Sequence, residues 1–215
     1  MKQPVGKTKM PIPENIIIKD GIVGIFKMAE SLEELEKRYI GLFHEVPPVD
    51  DFQHDRRKKE WLSVRLLIAE LIGTDFSISY SGDGSPQLNH PDYHFISISH
   101  SAMYAAVYLH KNKKVGLDIE SLNRKFSMIE KKYLSENELE QVNEHPVLRA
   151  VFWGAKEAVF KWAGREGVDF RKQIRIENVE LDKSNNICAV FNHQSEQTIN
   201  LQYRIFDGHV LVFTL

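Results

Sequence analysis

The sequence predicts an α+β fold of two similar lobes, each with strands and a long helix. Two observations lead there. Segments rich in β-branched residues recur along the chain between turn-forming clusters, and two stretches carry helical periodicity, Asp51 to Ile72 and the segment around Trp153 to Lys161. Strands and one long helix fall in each half, which divides the chain at about residues 1–105 and 106–215, without any sequence repeat to mark a duplication. A length of 215 residues with 42% hydrophobic content is enough to build the cores such lobes need.

In chain order, Asn15 to Lys27 is rich in isoleucine and valine around Asp20-Gly21 and reads as a strand pair or one bulged strand. Ser31 and Glu34 stand at capping-box spacing, so a helix is expected over about Leu32 to Ile40, before Pro47-Pro48 breaks the chain. Phe52, Trp61, Val64, Leu67, Ile68 and Leu71 then fall near helical spacing, with Gly73 as the stop. That helix carries the basic cluster Arg56-Arg57-Lys58-Lys59 and Arg65. Residues 74–94 are rich in Gly, Ser, Asp, Asn and Pro and read as loop with a short strand around Phe76 to Tyr80. Strands are expected at Phe95 to Ser99, Tyr104 to Leu109 and Lys114 to Glu120. Beyond Asn123 the pattern is helical, with a second capping box at Ser135 and Glu138 and with Pro146 at the first turn of the helix that carries Trp153 and Glu157. From Arg175 onward, alternation predicts three antiparallel strands.

Composition excludes several classes. No apolar run approaches the roughly 20 residues that span a bilayer, and Met1 to Met10 is basic and polar, unlike a signal peptide. The expected location is cytoplasmic, away from membranes. The lone Cys188 has no partner for a disulfide or a zinc site, which agrees with a reducing compartment. A formal charge of −2 argues against nucleic-acid binding.

Three segments carry the chemistry. Asp118 and Glu120 alternate along a strand and so leave it on one face, where two carboxylates can share a cation. Glu157 and Lys161 stand four apart on a helix, placing a carboxylate beside an ammonium. Magnesium takes oxygen ligands from a few carboxylates and from substrate phosphates, a demand that Asp118, Glu120 and Glu157 match. Taken singly, the first pattern also fits an exposed strand face and the second a surface helix pair. The third segment, Phe95 to Ser101, ends a strand in small hydrogen-bonding side chains around His100, a loop chemistry suited to phosphate. His90, His94 and His100 have no common zinc spacing.

Together, Ser99-His100-Ser101, Gly116 to Glu120, and Trp153 with Lys156-Glu157 and Lys161 stand in the order and spacing of the 4′-phosphopantetheinyl transferases. The chain resembles the longer, Sfp-type members over nearly its whole length. Gly84, Pro86 and the approach through Pro91-Asp92 look like the segment before the family's histidine motif, and Arg57 to Arg65 like its first basic helix. The resemblance implies two pseudo-symmetric α+β lobes, each a small antiparallel sheet packed with a long helix, and an active site in the cleft between them, where coenzyme A binds, with the second lobe, 106–215, carrying the metal site. It implies that Asp118, Glu120 and Glu157 hold Mg²⁺, that Lys161 and Lys156 lie near the phosphates, and that Arg65, His100, Ser99 and Arg57 contact coenzyme A. Two positions depart from the family pattern: Ser85 where a lysine often precedes the proline, and Ser97 where an asparagine is common.

The implied reaction moves phosphopantetheine from coenzyme A to a serine of an acyl or peptidyl carrier protein of fatty-acid, polyketide or nonribosomal-peptide synthesis. Glu157 is the candidate general base and Lys161 the group that stabilises the departing phosphate. The resemblance also implies a monomer. Leu122, Phe126 and Met128, beside Arg124 and Lys125, are candidates for carrier docking, or alternatively the start of a core helix. Two other readings stand beside the transferase: a non-catalytic coenzyme A- or carrier-binding homologue, and a metal-dependent phosphohydrolase.

Overall fold

The β-branched opening folds as a hairpin, β1 (Ile16–Ile18) and β2 (Gly21–Lys27), that turns at Asp20 in the left-handed region at φ 60°. The computed structural model describes residues 15–164, 167–179 and 184–215, so the expectation for Met1 to Met10 lies outside the described residues. Helix α1 (Leu32–Phe43) begins on the Ser31/Glu34 capping box, with both reciprocal bonds formed. Helix α2 (Asp55–Ile72) starts four residues later than the periodicity suggested, because Asp51 and Phe52 stay in the turn that carries Val49 into the core. It stops at Gly73, φ 85°.

The loop expected at 74–94 holds a hairpin, β3 (Ser77–Tyr80) and β4 (Pro86–Asn89). Strand β4 was not foreseen, since Leu88 is its one apolar residue and the Gly-Ser-Pro run ahead of it reads as turn. Strands β5 (Phe95–His100) and β6 (Tyr104–His110) complete the first antiparallel sheet, of order β1-β2-β6-β5. The expected lobe division at 105/106 therefore cuts β6, which is paired along its length with β2 and β5, and the first sheet ends at His110.

The second sheet has the order β7-β11-β10-β9-β8, built from β7 (Leu117–Ser121), β8 (Ile174–Val179), β9 (Asn186–Asn192), β10 (Glu196–Phe206) and β11 (His209–Thr214). The tail thus forms four strands where three were expected, because Asn192 to Ser195 and Asp207-Gly208 each reverse the chain in addition to the break after β8. Between β7 and β8 lie the short α3 (Glu130–Tyr133), α4 (Glu136–Glu144) on its own capping box, α5 (Leu148–Ala163) and the short α6 (Phe170–Gln173). Pro146 stands just ahead of α5 rather than in its first turn.

The two sheets share a three-strand order, in which an early strand lies against the last and the last against the next-to-last, β2-β6-β5 in one and β7-β11-β10 in the other, with β1 added outside β2 in the first. Each sheet buries one face under its own helix. In the first, Leu62, Leu66 and Leu67 of α2 pack on Phe26, Ala105, Val107 and Leu109; in the second, Val151, Ala155 and Val159 of α5 pack on Val210 and Val212. The opposite faces meet each other through Val23, Ile25, Ala106 and Tyr108 on one side and Leu117, Ile119, Leu211 and Phe213 on the other. Burial of this many aliphatic and aromatic side chains is the main stabilising term for both lobes and for their union. Close approach of α5 requires Gly116, where an added Cβ would lie 1.8 Å from the Ala158 carbonyl oxygen.

Candidate active site

The edge strands β5 and β7 run side by side, and side chains replace the ladder between them. Ser97 and Ser99 alternate on β5, so both reach the same neighbour. The Leu117 N–H donates to Ser97 Oγ at 3.0 Å and the Ile119 N–H to Ser99 Oγ at 3.3 Å. Ser97 is buried here, so this departure from the family pattern joins the lobes. Ser99 Oγ donates in turn to Asp118 Oδ1 at 2.8 Å.

Asp118 lies buried at this junction. Lys161, from the last turn of α5, donates to the same Oδ1 at 2.9 Å and to the Leu117 carbonyl at 2.9 Å. Asp118 Oδ2 is also buried and has no hydrogen-bond partner among the described residues. Gly154 leaves room over it: an added Cβ would lie 3.8 Å from Oδ2 and would strike Val212 Cγ2 at 2.8 Å.

Glu120 follows on the same face. Its Oε1 accepts from Trp153 Nε1 at 2.9 Å and from the Arg124 guanidinium, while burial first and Asp118 second push its carboxyl above the usual range. Glu157, one turn before Lys161, is pushed up to about 7 by burial, then by Asp118 and Glu120, with Lys161 opposing. Three mutually repelling carboxylates thus sit along one face of α5, the face that carries Trp153, Glu157 and Lys161. Among the described residues, no group of three or more acidic, histidine or cysteine side chains is arranged to hold an ion by itself. The donors nonetheless fit a hard divalent cation, being carboxylate oxygens with one of them, Asp118 Oδ2, buried and bare, and magnesium completes its shell with water and substrate oxygens.

On the first lobe, α2 and β5 border a cavity of about 550 Å³ lined by Arg57, Arg65, His100, Trp61, Tyr80 and Pro86, among others. Arg65 lies over the Trp61 ring at 3.5 Å, and burial lowers its affinity for the proton. Glu60, nearly fully buried, organises the basic side: Arg57 Nη1 donates to it at 3.0 Å and Arg56 Nε at 2.9 Å, and His100 Nδ1 lies 3.4 Å away. Burial pulls the His100 pKa down, with Glu60 opposing. Sequence reasoning missed Glu60, although its spacing from Arg56 and Arg57 on one helix was a legible sign. A guanidinium stacked on an indole, beside a second arginine and a histidine, can take an anionic ligand that carries a flat ring.

A second cavity, of about 580 Å³, lies across Pro86 and is lined by the β3–β4 hairpin, Ser97, Lys114, Lys161 and Trp162. Ser85, at the other departure from the family pattern, binds Asp83 through its hydroxyl at 2.6 Å and its N–H at 3.1 Å. Lys161 therefore reaches both Asp118 and this cavity.

Two expectations are corrected. Lys156 is fully buried in the second lobe, not exposed to a phosphate. Its ammonium donates to Glu138 at 2.8 Å and to the carbonyls of Tyr133 at 2.7 Å and Phe170 at 3.1 Å. Lys156 shares the α5 face that carries Phe152 and Val159 into the core, and Glu138 with the two carbonyls supplies the partners that its ammonium needs there. In the docking set, Phe126 is buried in the same core and Arg124 is committed to Glu120, leaving Met128 exposed.

With Asp118, Glu120, Glu157 and Lys161 thus gathered, the comparison with known families becomes specific. Residues 114–214 match the model of the 4′-phosphopantetheinyl transferase superfamily. The match covers the second lobe from just before β7 to the end of β11, and so includes every carboxylate of the junction. No curated protein gives a significant match to the chain. The basic cavity of α2 lies outside the matched region, on the first lobe.

Proposed function

We propose that this protein is an Sfp-type 4′-phosphopantetheinyl transferase that modifies a serine of an acyl or peptidyl carrier protein, with coenzyme A as donor and adenosine 3′,5′-bisphosphate as the second product. The observation that carries the reading is Asp118, a buried carboxylate at the lobe junction with one oxygen fixed by Ser99 and Lys161 and the other bare. The superfamily match over the same strand and helix supports it.

In this reading, Arg57, Arg65 and His100 hold the adenosine end of coenzyme A, with Trp61 as a flat support. Ser99 fixes Asp118 rather than touching the ligand. Asp118 and Glu120, with Glu157, would hold Mg²⁺, which when bound neutralises charge on the pyrophosphate oxygens. Glu157 accepts the proton of the carrier serine hydroxyl; burial, Asp118 and Glu120 push its carboxyl up to about 7, and a bound cation would lower it and keep it ionised for that role. The serine oxygen then bonds to the phosphorus that carries pantetheine as the pyrophosphate P–O bond breaks, and the electron pair leaves on the 5′-phosphate of adenosine 3′,5′-bisphosphate. Lys161, between Asp118 and the cavity under the β3–β4 hairpin, stabilises that leaving phosphate.

The test is intact mass spectrometry of apo carrier proteins incubated with the protein, coenzyme A and Mg²⁺, beside an EDTA control. A gain of one phosphopantetheine, absent with EDTA, is expected. No gain on acyl or peptidyl carriers from several pathways would overturn the reading.

A further inference from the structure

Both strand carboxylates divide their oxygens in the same way. Asp118 presents Oδ1 to two donors, Ser99 and Lys161, and keeps Oδ2 bare. Glu120 presents Oε1 to two donors, Trp153 and Arg124, and its other oxygen has no hydrogen bond to the described residues. Arg124 is itself held in place. The turn after β7 carries it back toward the strand through its N–H bond to the Ser121 carbonyl at 3.1 Å, and its guanidinium lies 4.7 Å from the Trp153 ring centre and 5.5 Å from that of Phe126. Trp153 therefore acts on Glu120 directly and on its partner by stacking, while Phe126 is anchored in the core.

We propose that Arg124 is the positioning residue of Glu120: packed against the neighbouring rings of Trp153 and Phe126, it fixes one carboxylate oxygen so that the other faces a divalent cation shared with Asp118. This rests on the reading of Asp118 and Glu120 as ligands of that cation. A carboxylate held at one oxygen before the ion arrives loses less freedom on binding, and partners that orient a ligand in this way typically account for about 10–100-fold in metal affinity. The planar, stackable fork is essential to the device, since a lysine keeps the charge but neither stacks nor donates in a fixed plane.

Binding of Mn²⁺ alone to the full chain, read from the electron paramagnetic resonance signal of the free ion, tests this without turnover. Arg124→Ala is expected to raise the dissociation constant about 10–100-fold, with Arg124→Lys falling between it and wild type and with unchanged far-ultraviolet circular dichroism. Asp118→Asn is expected to lose the site. Wild-type affinity in Arg124→Ala would overturn the proposal, and tighter binding would overturn it in favour of a guanidinium that competes with the ion. If Asp118→Asn binds Mn²⁺ as wild type does, the metal reading itself fails and the proposal falls with it. Should Arg124→Ala not fold, Arg124→Lys decides, since a role in charge alone would leave its affinity unchanged.

Discussion

Replacing Lys156 by methionine separates a structural from a catalytic role for the residue next to the candidate base. The side chain is fully buried, and its ammonium satisfies Glu138 together with the carbonyls of Tyr133 and Phe170. Burial lowers the pKa of Lys156 despite Glu138, so desolvation outweighs the attraction and the pair is no large net source of stability. Removing one partner is a different matter. Among the described residues, Lys156→Met leaves Glu138 with the N–H groups of Ser135 and Ile176 and no cation, and breaking a buried pair costs about 3–5 kcal/mol. At roughly 2–4 °C per kcal/mol for a chain of this size, the melting temperature should fall by about 6–20 °C. Differential scanning fluorimetry reads this directly, and the fraction that remains folded should keep the wild-type KM for coenzyme A. The double variant Lys156→Met with Glu138→Leu should recover much of the loss, since an apolar pair needs no partner. An unchanged melting temperature with a raised KM for coenzyme A would refute the reasoning and return Lys156 to the phosphates.

Glu157→Gln should abolish the rise of kcat/KM with pH that a carboxyl base produces in the wild type, with an inflection no higher than about 7 because a bound cation would lower it; a profile unchanged in shape would remove Glu157 from that role. Because the folded-state pKa lies above that of an unfolded glutamate, the unfolded chain releases this proton first and stability falls as pH rises from about 4.5 to about 7. The same variant should therefore gain stability over wild type in urea melts at about pH 8 and show little gain at about pH 4.5. Ser97→Ala strands the buried Leu117 N–H and should cost about 1–3 kcal/mol in urea unfolding without changing the KM for coenzyme A; a raised KM with normal stability would restore it to the substrate site. Ser99→Ala should show a similar loss of stability and, in addition, slower turnover, because it also frees Asp118; equal turnover in both variants would refute that distinction. Arg65→Ala should raise the KM for coenzyme A while leaving that for the carrier unchanged, as steady-state assays with each substrate varied in turn will show.

Local signals in the sequence suffice where one short-range interaction decides the outcome. Both capping boxes form as spaced, and the alternation of Asp118 and Glu120 puts them on one face of β7. Positions decided by packing partners far away in sequence were not legible. Spacing on α5 tells that Lys156 and Glu157 differ by one position, but only Glu138 and the surrounding carbonyls make the first a core residue. Ser97 looked like a changed substrate contact because its role depends on the N–H of Leu117, which the topology brings alongside. Strand β4 escaped because Leu88 alone gives no alternation, and β3 supplies its pairing. Arg124 was assigned to a docking rim as a charge next to apolar residues, whereas the geometry commits it to Glu120.

The seam between β5 and β7 has a consequence for dilution. Each strand is an open edge of its own sheet, and edges of this kind invite pairing with other molecules. Here each covers the other through serine hydroxyls and the shared apolar layer, and both belong to one continuous chain. Their meeting is an intramolecular event, since strand β6 and the short link over residues 111–116 join β5 to β7. The junction that holds Asp118 therefore assembles as completely in one isolated molecule as in a crowded solution.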